Sequence, residues 1–220
     1  MTYLIKLDGP LSTVDSVMTA GYLSIAPKLL HDSSGCSAAF CEIDAAAKAN
    51  IETSVSFSGF QPTFIRYSKA SKDLSPISRA PTLGIDPTMP QHRCSRALST
   101  PSPSQDQFPV WYFFYGTLAD GDVLGRVFGD EQQQQPPAYD YRSASVRGGV
   151  LKTWGGRYQA LLDDPGGGCV AGSALLIVDE NQEDALRVYE TDQYEMVRCT
   201  IEMGDSLVEG LTFRFVGETD

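Results

Sequence analysis

The 220-residue chain has little histidine: His31 and His92 are its only two, and both fall in its first half. A histidine-based triad or metal centre is therefore not expected in the second half. Cysteine is present five times, as Cys36, Cys41, Cys94, Cys169 and Cys199, but never as C-x-x-C. That spacing argues against a zinc or dithiol redox site and suits reduced, structural thiols. No run approaches 18 apolar residues, so no membrane-spanning helix is expected. The first ten residues, Met1 to Pro10, lack the basic start and long apolar run of a secretory signal. Together these absences give a cytoplasmic expectation. A basic stripe is missing as well. The net charge is −11, and residues 109–220 carry all of the excess, eight Lys/Arg against 19 Asp/Glu, whereas residues 1–108 balance at nine of each. Neither nucleic acid nor an anionic membrane is an expected partner. The asymmetry between the halves suggests two units.

What remains is ordinary globular composition, 42% hydrophobic and 10% aromatic, enough for a sizeable core. Ser71 to Phe108 contains Pro76, Pro81, Pro87, Pro90, Pro101 and Pro103 among many serines, and reads as an irregular or disordered linker without long helix or central strand. Gly129 to Pro137, with Gln132–Gln135 before two prolines, reads as an exposed loop. The expected division is 1–70, an N-terminal α/β region; 71–107, the linker; and 108–220, the main domain. In the first part, Tyr3–Leu7 suggests a strand and Ala38–Ile51 a helix. Thr53–Tyr67 suggests strands around Pro62, with Phe57, Phe60, Phe64 and Ile65 as core candidates.

The last part has more signals. Val110–Tyr115 is a continuous apolar run, as in a strand buried on both faces. Asp120–Phe128 and Asn181–Tyr189 suggest short helices, the second with Ala185, Leu186 and Tyr189 facing inward. Strands are expected at Tyr141–Leu151, Tyr158–Leu162, Cys169–Val178, Val197–Met203 and Leu211–Val216. Many strands with two short helices suggest an α+β domain built on a curled sheet. The first part also echoes the last. Leu7-Asp8-Gly9-Pro10-Leu11 with Asp15 and Val17 aligns with Phe114-Tyr115-Gly116-Thr117-Leu118 with Asp122 and Leu124, so residues 1–70 are a possible degenerate repeat.

Two stretches carry candidate chemistry. At Tyr115-Gly116-Thr117-Leu118 a buried strand stops at a glycine and a helix follows. Exposed backbone N–H groups in such a turn can cradle a carboxylate. At Leu186 to Tyr194, Glu190 ends a helix, where the helix dipole disfavours an anion, and partial burial would raise its pKa toward neutrality. Taken singly, these read as an ordinary turn and a solvated carboxylate. His31 and His92 lie in loop-like sequence and read as solvated. Cys169 and Cys199 lie in apolar strands and read as core thiols.

Taken together, Y-G-T-L, then L-x-x-Y-E-x-x-x-Y about 70 residues later, resembles the gamma-glutamylcyclotransferase-like family, most nearly its gamma-glutamylamine cyclotransferase branch. Gly156-Arg157-Tyr158-Gln159-Ala160-Leu161 is similar to the family's G-x-Y-P-A-L. The chain departs from the family with Gln159 for proline, Thr191 for a common glycine, and Met196 where an arginine often stands, the arginine here being Arg198. The resemblance implies a mixed α+β barrel with short flanking helices, preceded by a less regular N-terminal region. It also implies a cofactor-independent, metal-free cyclisation of a small gamma-glutamyl amide to 5-oxoproline. Glu190 would be the acid/base, Tyr115, Gly116, Thr117 and Leu118 would bind the glutamyl group, and Tyr194 would line the pocket. Asp192 and Glu195 compete with Glu190 for the catalytic role. A non-catalytic binding module and a repurposed enzyme using Glu190 as a proton shuttle are the alternatives. Nothing in the sequence specifies an oligomeric state.

Overall fold

The computed structural model describes residues 2–31, 38–56, 59–84, 100–129 and 139–217. It divides into two compact units at Ser68/Lys69. In the first, β1 (Thr2–Lys6) lies between β3 (Ala39–Asp44) and β4 (Phe64–Tyr67), and β3 also pairs with β2 (Leu29–His31), all antiparallel. Helices α1 (Val14–Gly21) and α2 (Ala45–Val55) complete it, around a core of Ile5, Leu11, Val17, Cys41, Ile43, Ala47, Ile51 and Val55.

The expected helix at Ala38–Ile51 is instead a strand followed by a helix. Cys41 and Ile43 alternate into the core with period two, and the Asp44 carboxylate then caps α2 by accepting from the Ala47 N–H at 2.7 Å. The helix runs on to Val55, past the point where a strand was expected. Phe60 and Phe64 pack on the core, but Ile65 is 47% exposed, and Phe57 lies outside the described residues. His31, expected in a loop, sits in β2, while His92 is outside the described residues.

The second unit is a closed mixed barrel. Its strands β6 (Val110–Phe114), β10 (Cys169–Ile177), β7 (Arg142–Arg147), β11 (Tyr194–Met203) and β12 (Ser206–Phe215) follow one another around it, and β12 pairs back onto β6. The β6–β12 pair is parallel and the other barrel pairs are antiparallel. The hairpin of β8 (Gly149–Trp154) and β9 (Tyr158–Asp163) is separate. The expected single strand at Tyr141–Leu151 breaks at Gly148, whose φ of +85° suits glycine. Helix α3 (Gly121–Phe128) is capped by Asp120, and α4 (Glu180–Glu190) by Asp179. Alternation along β6 splits the apolar side chains between two faces. Tyr112 and Phe114 join Leu124, Leu186, Met196, Phe213 and Phe215 under the helices, whereas Phe113 joins Val146, Val197, Cys199 and Ile201. Cys199 is buried as expected, but Cys169, at the strand's start, is exposed.

Residues 71–84 and 100–107, expected as part of a linker, belong to this second unit, which begins at Lys69. Ser71–Lys72 forms a short edge strand, β5, parallel to β11. Ala70, Leu74 and Leu83 are buried. Arg198, 1% exposed, donates to the carbonyl oxygens of Ser75 (3.0 Å), Ser78 (3.1 Å), Ala80 (2.8 Å) and Pro103 (2.8 Å). Main-chain bonds to a sheet edge and a buried guanidinium hold this segment, so no hydrophobic period marked it. Residues 85–99 and the glutamine-rich loop from 130 on lie outside the described residues. Among the described residues, no helix is long and apolar enough to cross a membrane.

The stretches that echo each other share a local order of strand, 3₁₀ turn and eight-residue helix: β1, Gly9–Leu11 and α1 against β6, Thr117–Ala119 and α3. They differ at the glycine. A Cβ on Gly9 would meet the Phe60 ring at 2.5 Å, whereas one on Gly116 would meet nothing within 4 Å.

Candidate active site

Strand β6 delivers Tyr115 to the barrel rim, where its hydroxyl donates to the Phe213 carbonyl at 2.9 Å. The chain then turns at Gly116. Gly116 and Thr117 are exposed, while Leu118 is buried as the anchor of the turn. The Gly116 and Thr117 carbonyls accept from Ala119 and Asp120, closing the 3₁₀ turn. The Leu118 carbonyl accepts from the Tyr141 hydroxyl at 2.6 Å. Among the described residues, the N–H groups of Gly116, Thr117 and Leu118 have no such partner. They are the orphan donors that the start of a helical turn leaves free.

Glu190 is the last residue of α4. Its side chain is half-buried and makes no hydrogen bond among the described residues. Desolvation by burial raises its pKa from an ordinary 4.5 to about 7. Burial also raises the Tyr115 and Tyr194 hydroxyls, and the Glu190 charge adds to both shifts, so the three groups share one electrostatic neighbourhood. A further link joins the helix to the loop. The Tyr189 and Thr117 hydroxyls are 3.0 Å apart. Tyr189 was expected to face inward, but its ring is 42% exposed and only its hydroxyl turns to the loop.

Thr191, the residue after Glu190, has φ 64° and ψ −172°, a conformation that glycine adopts readily and threonine does not. The glycine common in the family at this position has its physical reason here. The Thr191–Gln193 turn then leads into β11 and Tyr194. The Tyr194 hydroxyl accepts from the Trp154 indole N–H at 2.9 Å and donates to the Gln159 carbonyl at 3.0 Å. It ties the β8–β9 hairpin to the barrel. Trp154 also stacks on Phe215, with centroids 5.1 Å apart.

The competing carboxylates are placed differently. Asp192 is exposed. Glu195 accepts from Arg214 Nε and Nη2 at 3.0 and 2.7 Å, and the same guanidinium donates to Asp163 at 2.6 Å. Met196, where the family often has arginine, is a core residue, and Arg198 points into the carbonyl cage. Trp154 and the Arg214 pairing escaped the sequence reading. A tryptophan beside the Gly155-Gly156 turn was the available signal for the first, and nothing local announced the second. Among the described residues, no cluster of His, Cys, Asp and Glu is arranged to hold a metal ion.

Residues 112–218 match the family described as gamma-glutamyl cyclotransferase, AIG2-like. No curated protein matches the chain. Among solved structures, the chain is similar to At5g39720.1 from Arabidopsis thaliana, at 22% identity and TM-score 0.41, over 50% of this chain and 71% of that one. At3g28950.1 from the same organism is 23% identical with TM-score 0.42, over 54% and 74%. YkqA from Bacillus subtilis is 21% identical with TM-score 0.40, over 51% of this chain and 42% of that one. With the matched residues spanning the barrel from β6 through β12, the second unit of this chain belongs to the gamma-glutamylcyclotransferase-like family.

Proposed function

We propose that the second unit cyclises a small gamma-glutamyl amide to 5-oxoproline, with Glu190 as general acid/base, in a cytoplasmic setting. Its preferred substrates are gamma-glutamyl amines, as in the branch whose Y-G-T-L loop it shares. One observation carries the reading: a carboxyl with no hydrogen-bond partner among the described residues, its pKa raised to about 7, beside a turn with three free N–H donors. A group that titrates near neutrality can both take and return a proton.

In the reaction, Glu190 takes a proton from the substrate's α-ammonium. The freed amine attacks the side-chain carbonyl carbon, forming the ring C–N bond. The bond to the departing nitrogen then breaks as Glu190 returns its proton to that nitrogen, and the ring nitrogen gives up its second proton to the freed carboxylate, which passes it to the released amine as an ammonium. The products are 5-oxoproline and an amine. The N–H groups of Gly116, Thr117 and Leu118 bind the glutamyl portion and stabilise charge on the carbonyl oxygen. The open space over Gly116 leaves room for that approach. Because the reaction is intramolecular, holding a folded conformer supplies much of the rate. Tyr194, held by Trp154 and Gln159 and within the electrostatic reach of Glu190, borders the glutamyl group.

The first unit we read as a degenerate counterpart without this chemistry. Helix α2 follows β3 as α4 follows β10, but it ends on Val55 rather than on a carboxylate.

The test is 5-oxoproline release from a panel of gamma-glutamyl amines and gamma-glutamyl amino acids. Wild type should turn over at least one amine, and Glu190→Gln should lower kcat about 100-fold or more. A folded wild type that binds the panel without turnover would favour a binding module. A Glu190→Gln variant as active as wild type would remove the acid/base assignment.

A further inference from the structure

Away from the barrel rim lies a second cluster of titratable groups that the proposed reaction does not use. Lys72 on β5 and Glu183 in the first turn of α4 are 2% and 4% exposed in their side chains. The Lys72 ammonium donates to both carboxylate oxygens of Glu183, at 2.7 and 2.9 Å. The Tyr112 hydroxyl, from β6, donates to Glu183 at 2.6 Å. The stretch around Lys72 is tied down at further points. The Ala70 N–H donates to the Arg187 carbonyl, and Arg187 Nε donates back to the Ala70 carbonyl, both at 2.8 Å. Ser71 and Lys72 pair with Glu195 and Met196 of β11. The Lys72 carbonyl accepts from Gln105 at 3.0 Å.

These bonds converge on the elements that build the candidate site. Helix α4 carries Glu190 at its far end, β6 carries Tyr112 three residues before Tyr115, and β11 starts at Tyr194. Only the three-residue Thr191–Gln193 turn joins α4 to β11, and it begins on a backbone conformation that threonine adopts at a cost. An element joined so briefly keeps its orientation through its flanks. Residues 70–72 bridge both flanks, and the Lys72–Glu183–Tyr112 chain adds the strand that presents the loop.

We propose that Lys72 is a positioning residue, whose buried contact with Glu183 sets the placement of α4, and so of Glu190, against the Tyr115–Leu118 loop. Lys72 precedes the residues that match the family. The active unit therefore extends upstream of the barrel. Matched replacement of a buried ion pair is often neutral for stability, whereas removing one partner strands a charge. Position and stability can therefore be separated.

The inference rests on Glu190 as the working group, but its test does not depend on turnover. Lys72→Met alone would leave the Glu183 carboxylate stranded, so the pair is removed together as Lys72→Met/Glu183→Gln, which keeps an acceptor for Tyr112. The Glu190 carboxyl is followed by carbon NMR across pH in the full chain, assigned by its loss in Glu190→Gln. The titratable side chains that sense it, Tyr115 and Tyr194, both have pKa values raised above the usual tyrosine value of 10, so the neutral range reports Glu190. The double variant should stay folded and move the Glu190 titration about one unit or more toward 4.5, as water reaches the displaced carboxyl. In the turnover assay kcat should fall about tenfold or more with KM little changed, because small misplacements of reacting groups are costly in rate. A Glu190 titration identical to wild type would overturn the proposal. So would loss of folding in the double variant, which would assign the cluster to stability. If wild type releases no 5-oxoproline, the reaction reading fails, and the carboxyl titration alone still decides the positioning claim.

Discussion

Replacing Glu190 with glutamine should stabilise the second unit at neutral and alkaline pH and leave its stability near pH 4 almost unchanged. Burial holds the carboxyl's pKa at about 7 instead of 4.5. The folded state therefore binds this proton more tightly than the unfolded chain does. Between those two values the unfolded chain carries fewer protons, so the group's contribution to stability declines as pH rises through the window and is flat above it. A gap of about 2.5 units, at about 1.36 kcal/mol each, sets a ceiling of about 3.4 kcal/mol. Part of the side chain still meets water, and about 2 kcal/mol is the expected size after that screening. Glutamine keeps the shape, carries no charge, and escapes the cost. The chain's two tryptophans, Trp111 and Trp154, both lie in the second unit. Urea unfolding followed by tryptophan fluorescence therefore reports this unit, through midpoints compared at constant m. The wild-type and Glu190→Gln curves should coincide at about pH 4 and separate by about 2 kcal/mol at about pH 8, with the variant the more stable. Curves that stay parallel across pH, or a wild type more stable than the variant at pH 8, would refute a desolvated carboxylate at this position.

Two further outcomes follow from the backbone and from Arg198. Thr191→Gly should release a strain of about 1–3 kcal/mol, less about 1 kcal/mol for glycine's freedom in the unfolded chain, and raise Tm by about 2–4 °C. Thr191→Ala, which keeps the Cβ, should not gain, and thermal melts of the two variants check the order. Arg198→Met should lower the stability of the second unit by about 3–5 kcal/mol, since four buried carbonyls lose their donor. Urea midpoints measure that loss, and limited proteolysis should show earlier cleavage within residues 69–84.

The sequence makes much of the second unit legible, for identifiable reasons. β6 is an uninterrupted apolar run, Asp120 and Asp179 are side-chain caps, and Gly129 closes α3 with a φ of +76°. Each is a local signal with a local cause. Glu190 and the 115–118 turn were legible only through their joint spacing, since neither stretch alone differs from an ordinary helix end or turn. The missed features depend on partners distant in sequence. Lys72 meets Glu183 across 111 positions, and Arg198 meets Ser75 across 123. Proline and serine content argued for a linker over 71–107 but could not register main-chain bonds to another segment. Ala39–Asp44 misled for a different reason. The alanines after it lent helix propensity to a stretch whose alternating Cys41 and Ile43 belong to a sheet. Closure of the barrel through the parallel β6–β12 pair leaves no trace in either strand.

The carbonyl cage around Arg198 sets terms for how this protein can diverge. Its four acceptors are main-chain oxygens, so the guanidinium recognises the path of the upstream segment rather than the identity of its residues. The Ala80 side chain can change with little effect on that grip, whereas losing the Ser75 or Ser78 hydroxyls, which accept from main-chain N–H groups of the same turn, or inserting or deleting a residue between them, would move the oxygens. In related chains that keep the arginine, this segment should hold its length and its turn-forming hydroxyls while the rest of its composition drifts. A comparison that scores residues would then overlook it, and one that counts spacing would find it.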